Sequence, residues 1–291
     1  MQHILLTGAT GFLGSHLLEA LLGRGYSVTI LKRSTSDTWR INHLLAQVRA
    51  FDIDLVPLDE AFKEKNVDAV FHTACTYGRH GQAANEVVET NLLFGLKLLD
   101  VATAYNTKAF FNTDTLLPKY LNAYSLSKRH FSEWLKQRSD KIQVINLKLE
   151  HMYGPGDDQT KFVPWLINQL QRNVERIPLT EGKQLRDFIY IDDVISAYML
   201  TLEKRMQLPR FSEFDVGTGN LISVREFVTT LYEIYQQLNP NSKTLLGFGD
   251  IPLRDGEMMK VEVNNAALKG LGWDSAVSQN QGLSRLLKVI A

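Results

Sequence analysis

The chain is poor in three things, and each scarcity excludes a class of protein. A single cysteine, Cys75, stands among 291 residues, so no internal disulfide framework exists and the composition fits a reducing compartment. No window approaches the run of about eighteen apolar residues that a membrane helix needs. The opening MQHILLTGAT also lacks the charged, then apolar, layout of a secretory signal. A soluble, cytoplasmic protein is expected. Neither charge is in excess: 32 Lys plus Arg face 32 Asp plus Glu. No overall field therefore attracts nucleic acid or an anionic membrane, and an anionic ligand must be gripped by local cations. Repeats, low-complexity tracts and long linkers are missing too, and no histidine or cysteine pair has zinc-ligand spacing beside a second cluster, so no metal site is expected.

What is present is alternation. Apolar runs of strand length are expected at His3–Thr7, Ser27–Leu31, Val48–Phe51, Ala69–Thr73, Ala109–Asn112 and Gln143–Leu149, with helices starting near Phe12, Thr38, Asn85 and Tyr124. That order is the pattern of an α/β chain with a doubly wound parallel sheet. From His151 the pattern turns irregular through YGPGDDQ. The segments Asp187–Leu202 and Glu213–Val216 then read as a return to the main sheet. The expected division is 1–153 with 187–216 as a dinucleotide-binding Rossmann domain, and 154–186 with 217–291 as a smaller substrate-binding lobe, with a ligand cleft between them.

Thr7-Gly8-Ala9-Thr10-Gly11-Phe12-Leu13-Gly14 follows a short strand and opens an amphipathic helix. Gly8 suits a tight turn, Gly11 admits a pyrophosphate against the backbone, and Gly14 lets helix and strand pack closely; the helix N-terminus adds amide donors. The bland alternative is a glycine turn with no ligand. After the second strand, where an NAD site places a carboxylate on the ribose, the sequence offers Leu31-Lys32-Arg33-Ser34. Two cations there favour the 2′-phosphate of NADP(H), although both could be surface residues in a solvated loop.

TGATGFLG, FHTA at 71–74, Asn91 in TNLLFG, Tyr124-Ser125-Leu126-Ser127-Lys128 and RDFIYIDD at 186–193 occur in that order along nearly the whole chain. Together they resemble the extended short-chain dehydrogenase/reductases that modify nucleotide sugars. Tyr77-Gly78-Arg79-His80, Leu147-Lys148-Leu149-Glu150-His151 and the Arg-Asp-Phe segment resemble, more narrowly, CDP-paratose synthase and related CDP-hexose 4-ketoreductases. The resemblance implies an NADPH-dependent reductase of a 4-keto-3,6-dideoxyhexose, of the kind used in surface-polysaccharide (O-antigen) synthesis, and a homodimer. It implies Tyr124 as proton donor, Lys128 as its neighbouring cation and ribose contact, Thr113 as oxyanion donor and Asn91 as support for the lysine. It also implies cofactor contacts at Thr10, Phe12, Leu13, Asp52, Ile53, Thr73 and Ala74. Spacing alone places Tyr124 and Lys128 one helical turn apart, where the ammonium is expected to lower the phenol's pKa.

Substrate contacts are expected at Arg79, His80, Asp114, Thr115, Glu150, His151, Arg186 and Arg254. The arginines match diphosphate-binding positions but have Asp187 and Asp255 beside them, so surface ion pairs are the alternative. Related 4,6-dehydratases carry a glutamate after the Thr-Asp pair; Thr115 stands there instead, which argues for reduction over elimination. Eleven positions separate Thr113 from Tyr124, about half the connection usual in extended members, so a more open sugar pocket is expected. Phe162, Val163 and Trp165 either border the nucleotide base or pack the second lobe, and Cys75 reads as a small apolar filler.

Overall fold

The structure, a computed structural model, describes residues 2–79 and 81–290. In chain order the elements are β1 (His3–Thr7), α1 (Phe12–Gly23), β2 (Ser27–Lys32), β3 (Arg49–Asp52), α2 (Glu60–Lys63), β4 (Ala69–His72), α3 (Ala84–Val88), α4 (Phe94–Ala104), β5 (Ala109–Thr115), α5 (Ala123–Arg138), β6 (Gln143–Leu149), β7 (His151–Tyr153), α6 (Phe162–Gln171), β8 (Arg176–Leu179), β9 (Leu185–Arg186), β10 (Phe188–Tyr190), α7 (Ile191–Glu203), β11 (Phe211–Val216), β12 (Ile222–Ser223), α8 (Val224–Leu238), β13 (Leu245–Phe248), α9 (Ala266–Gly270) and α10 (Gln279–Ile290). The chain forms two compact units, one from residues 1–149 with 197–215 and the other from 150–196 with 216–291.

The first unit holds a seven-stranded sheet in the order β11-β6-β5-β4-β1-β2-β3. The pairs from β3 through β6 are all parallel. Val144 N donates to Arg210 O and Glu150 N to Val216 O, a constant offset that runs β11 parallel to β6 as well. A parallel sheet is covered on both faces, so its strands are apolar throughout rather than alternating. β1 is buried at every position. Leu5, Leu31, Val70, Leu98, Phe110, Phe131, Leu135 and Val144 form one continuous core cluster. Gly95 lets α4 approach α5, because a Cβ there would lie 2.7 Å from the Phe131 ring. Strand order reverses between β1 and β4, the place where open α/β sheets form a crevice at their carboxyl ends.

The helix expected near Thr38 does not form. Trp39 N donates to Asp37 Oδ1, Thr38 Oγ1 donates to Asn42 Oδ1 and Arg33 N donates to Ser36 Oγ. Such local side-chain bonds compete with a helical ladder, and only a 3₁₀ segment at Asn42–Gln47 follows.

In the second unit β7 pairs with β10, β9 with β12 and β8 with β13. The stretch Phe188–Tyr190 therefore joins a two-stranded ladder with His151–Tyr153 and not the main sheet, as its sequence had suggested. Aromatic packing holds the strand in that ladder. Phe188 stacks on Phe227 at 3.8 Å, and Tyr153 meets Tyr190 edge-on at 5.5 Å. Trp273 Nε1 donates to Ser196 Oγ at 2.8 Å, while Asp193 accepts from the amides of Ala276 and Val277. No described helix is long and apolar enough to cross a membrane.

Candidate active site

The glycine loop lies between β1 and α1. Gly8 has φ +70°, and a Cβ on it would meet Thr73 Oγ1 at 2.6 Å and Ala74 N at 2.7 Å. Thr73 and Ala74 are in turn tied to Thr7, through Thr73 Oγ1 to Thr7 O and Ala74 N to Thr7 Oγ1. Gly14 is needed for a different reason, since its Cβ would run into the Gly8 carbonyl oxygen. Gly11 differs from both: only Gly8 O comes within 4 Å, at 3.3 Å, so space lies open over it. Gly11 is also the residue before α1, and no side chain caps that helix. With no side chain in the cap position, the helix dipole favours an anion at this end. This cradle fits a pyrophosphate. Arg40 Nη1 donates to Thr10 O at 3.2 Å, a loop contact that nothing in the glycine spacing announces.

At the ends of β2 and β3 the two cations expected to act together are treated differently. Lys32 Nζ lies 3.3 Å from Asp52 Oδ2, which also accepts from Ser34 Oγ at 2.8 Å. Burial pushes the Asp52 carboxyl up, but the Ser34 hydroxyl, the Asp54 amide and Lys32 outweigh it and hold it below its ordinary value. Ile53 N donates to Lys32 O and pins the two strand ends together. Arg33 is exposed, and no described carboxylate forms an ion pair with it.

Lys128 of α5 reaches Thr113 of β5, and the Tyr124 hydroxyl shares a hydrogen bond with Thr115 at the end of the same strand. Lys128 is 1 % exposed, and its Nζ donates to Thr113 O at 2.9 Å. Thr113 Oγ1 shares a 2.6 Å hydrogen bond with Tyr198 Oη. Asn122 caps α5 by accepting from Ser125 N, which fixes the first turn carrying Tyr124. The Tyr124 ring packs against Tyr77 at 4.8 Å, and the Arg79 guanidinium lies 4.7 Å over the Tyr77 ring. The expected lowering of the Tyr124 phenol is not what the structure gives. Burial raises it well above its ordinary value, with Cys75 and Asp114 adding to the rise, and a hydrogen bond from Thr115 and the Arg79 charge oppose it only in part. Desolvation is the largest contribution, and the Lys128 ammonium donates to the Thr113 carbonyl.

Asn91 sits in a turn of π geometry at Glu89–Leu93, a distortion often found at functional sites. It accepts from Thr76 N and donates to Thr76 O and Ser127 Oγ, so it clamps the segment after β4 to α5. Asp114 is 3 % exposed; its oxygens accept from Thr115 N and from Asn146 Nδ2, and burial raises its pKa. Cys75 is half-buried and hydrogen-bonds Tyr77, whose phenol Cys75 and burial push well up. It is a polar neighbour of the tyrosines, contrary to the apolar filler expected from sequence. Tyr77 and Tyr198 were not legible as site residues. Tyr77 fell in a quoted motif without a role, and Tyr198 lies 85 positions from its partner.

The second unit carries the other expected residues. Glu150 Oε2 faces His151 Nδ1 at 2.6 Å and accepts from His151 N, while Glu150 Oε1 is buried with no partner among the described residues. Asp187 is fully buried and accepts from Thr218 N, Thr218 Oγ1 and Gly219 N. Burial raises its carboxyl pKa. Arg186 is buried, pairs with Glu257 at 2.7 Å and donates to Leu185 O. It is therefore committed to an internal ion pair, whereas Arg254 is exposed and pairs with no described carboxylate. Phe162 and Trp165 stack at 6.0 Å on α6, Phe162 being 38 % exposed, while Val163 is buried. His80 lies outside the described residues. Among them no group of three or more His, Cys, Asp or Glu is placed to hold a metal ion.

Known proteins resemble this chain in sequence and in fold. CDP-abequose synthase of Salmonella typhimurium is 36 % identical over 299 residues, spanning 99 % of this chain and 98 % of the relative. A putative UDP-glucose 4-epimerase of Methanocaldococcus jannaschii is 26 % identical over 98 % of this chain and 97 % of the relative. Among solved structures, UDP-glucose 4-epimerase of Thermotoga maritima superposes with a TM-score of 0.84 at 23 % identity, covering 99 % of this chain and 98 % of that one. The dTDP-glucose 4,6-dehydratase of Streptomyces venezuelae gives 0.82 at 21 % identity over 99 % and 96 %. At these identities the two structures establish a shared fold. The family model described as "NAD dependent epimerase/dehydratase family" matches residues 4–217, and the chain, a short-chain dehydrogenase/reductase of the extended type, belongs to that family.

Proposed function

We propose that the protein is an NADPH-linked reductase of the 4-keto group of a nucleotide-linked deoxyhexose, with a CDP-4-keto-3,6-dideoxyhexose as substrate. The observation that carries this reading is the ammonium of Lys128 buried on the Thr113 carbonyl, with the Tyr124 hydroxyl bonded to Thr115 two residues further along β5. Bound nicotinamide supplies a hydride; the chain must supply a proton to the carbonyl oxygen and donors for its growing charge. A phenol held above its ordinary pKa keeps its proton at neutral pH and gives it up only as the oxyanion forms, which suits Tyr124 to the role of general acid. Thr113 Oγ1 donates to the same oxygen, and fixed donors of this kind contribute about 2.7–4 kcal/mol to barrier lowering. Lys128, Asn91, Thr73 and Ala74 hold the cofactor side of the site.

Reduction is favoured over dehydration by the same strand. Elimination needs a carboxylate pair, yet Thr115 occupies the second place and Asp114 spends both oxygens on Thr115 N and Asn146. NADPH is favoured over NADH by Arg33, which no described carboxylate neutralises. The substrate contacts expected from the sequence carry over as part of this proposal: Arg79, His80, Glu150 and His151 for the hexose, Arg254 for the diphosphate, and Phe162 with Trp165 for the base. The Salmonella relatives' name, CDP-abequose synthase, supports the CDP carrier. The test is a panel of CDP-, dTDP-, GDP- and UDP-linked 4-keto-6-deoxy and 4-keto-3,6-dideoxy sugars, each with NADPH. Stoichiometric loss of NADPH absorbance with the CDP sugar is expected, with product stereochemistry read by NMR. Conversion without net NADPH loss would instead identify an epimerase or dehydratase.

A further inference from the structure

Thr113 is held at two points. Its carbonyl accepts from Lys128, and its hydroxyl meets Tyr198 at 2.6 Å. Tyr198 is 0 % exposed on α7, its ring tilted against Phe71 at 6.0 Å, and Phe71 stacks on Phe111 of β5 at 4.4 Å. The phenol is thus locked beside the strand that carries Thr113. A phenol has one proton to donate, and a threonine hydroxyl has one proton and two lone pairs. Thr113 Oγ1 is the one hydrogen-bond partner of Tyr198 Oη among the described residues. Two arrangements are open to the pair. If Thr113 donates, the Tyr198 proton is left buried with no acceptor, which carries the full desolvation penalty of that donor. If Tyr198 donates, the phenol is satisfied, Thr113 is satisfied as an acceptor, and only the Thr113 proton is left over. Thr113 retains 9 % exposure, so that proton has somewhere to point.

We propose that Tyr198 is a positioning residue for the reaction: its O–H donates to Thr113 Oγ1, aims the Thr113 proton at the substrate's carbonyl oxygen and, through the chain of two hydroxyls, strengthens it as a donor. Hydrogen bonds in series polarise one another, and a hydroxyl rotor already fixed requires no reorganisation when charge develops. The inference rests on the oxyanion role given to Thr113 above. It also makes Tyr198, remote in sequence and never in contact with substrate, a determinant of kcat rather than of binding.

The experiment is a double-mutant cycle of Thr113→Val and Tyr198→Phe, read with NADPH and CDP-4-keto-3,6-dideoxyglucose, with thermal unfolding followed for every variant. Tyr198→Phe alone lowers kcat about tenfold and leaves KM within about twofold, since a neutral hydrogen bond contributes roughly a factor of ten. In the Thr113→Val background it has no further effect. If Thr113→Val itself leaves kcat unchanged, the oxyanion reading of Thr113 fails. If Thr113→Val slows the enzyme but Tyr198→Phe does not, or if the two losses multiply, the positioning role fails and Tyr198 is merely part of the packing. A second measurement needs neither turnover nor the Tyr198 variant. The infrared difference between wild type and Thr113→Val, with tyrosine ring-labelled in 13C, reports the phenol C–O stretch, which separates a donating hydroxyl from an accepting one. Loss of a donor signature supports the assignment; loss of an acceptor signature overturns it.

Discussion

At the scale of single residues the chemistry is decided by what burial does to two groups. Tyr124 is pushed up, not down, because its phenol leaves water and has Cys75 and Asp114 beside it. A tyrosine in that state is an acid, so Tyr124→Phe is expected to lower kcat by about 10²–10⁴-fold with cofactor affinity intact in a fluorescence titration. Lys128→Met should weaken both rate and cofactor binding. Near-normal turnover in Tyr124→Phe would remove the proton donor from the account. His72 shows the same effect without chemistry. It is fully buried among Phe94, Phe110 and Phe131, one ring nitrogen meets Thr7 Oγ1 at 2.9 Å, and burial, aided by Lys128, pushes its pKa down from 6.5 to about 3. The folded chain therefore keeps His72 neutral where the unfolded chain takes up a proton, so stability falls as pH drops from 6.5 towards 3. Urea midpoints measured across that window should decline less steeply in His72→Gln than in wild type; parallel declines would show that other groups govern the acid limb.

At the scale of elements the glycine loop separates folding from binding. A Cβ on Gly14 would run into the Gly8 backbone oxygen, which cannot yield, whereas a Cβ on Gly11 would lie 3.3 Å from that oxygen, close but short of a clash, with nothing else within 4 Å. Gly14→Ala should lower the unfolding midpoint, overpacking of this kind typically being worth about 1–3 kcal/mol. Gly11→Ala should fold normally yet bind the dinucleotide poorly. Equal midpoints for the two variants would refute the division of labour. The turn after β2 makes a comparable distinction between Lys32, paired with Asp52, and Arg33. Arg33→Asp is expected to shift preference from NADPH towards NADH in titrations, and Lys32→Ala to do so far less. Much of this was legible in the sequence, because fully buried parallel strands are continuous apolar runs; β1 and β6 match the expected bounds residue for residue. Where polar groups are buried the reading stops short. β5 continues through Asn112, Thr113, Asp114 and Thr115, a stretch that looks like a loop, because Asn146 bonds to Asn112 and Asp114 across the ladder. No local pattern announces such pairing, just as none revealed the Tyr198 partner of Thr113.

At the scale of the whole molecule, equal numbers of cations and carboxylates mean that binding of an anion depends on which cations remain unspent. Many are spent: Lys148 on Glu213 and Asp215, Lys161 on Asp157, Lys32 on Asp52 and Arg186 on Glu257. Sequence could not sort these, since Arg186 and Arg254 each precede an aspartate and the same two readings applied to both. Their environments do sort them. Arg186 is 7 % exposed and bonded to Glu257 and to Leu185 O, and breaking a buried pair leaves a charge without a partner, at a cost of about 3–5 kcal/mol. Arg186→Ala should therefore lower the unfolding midpoint sharply, and any loss of activity should track the loss of folded protein. Arg254→Ala should leave that midpoint unchanged and raise KM for the nucleotide sugar, with a weaker dependence of KM on salt than in wild type, because exposed charge–charge attraction is what salt screens. A KM and a salt slope identical to wild type would show that the diphosphate is held by other residues and that Arg254 belongs to the solvated surface.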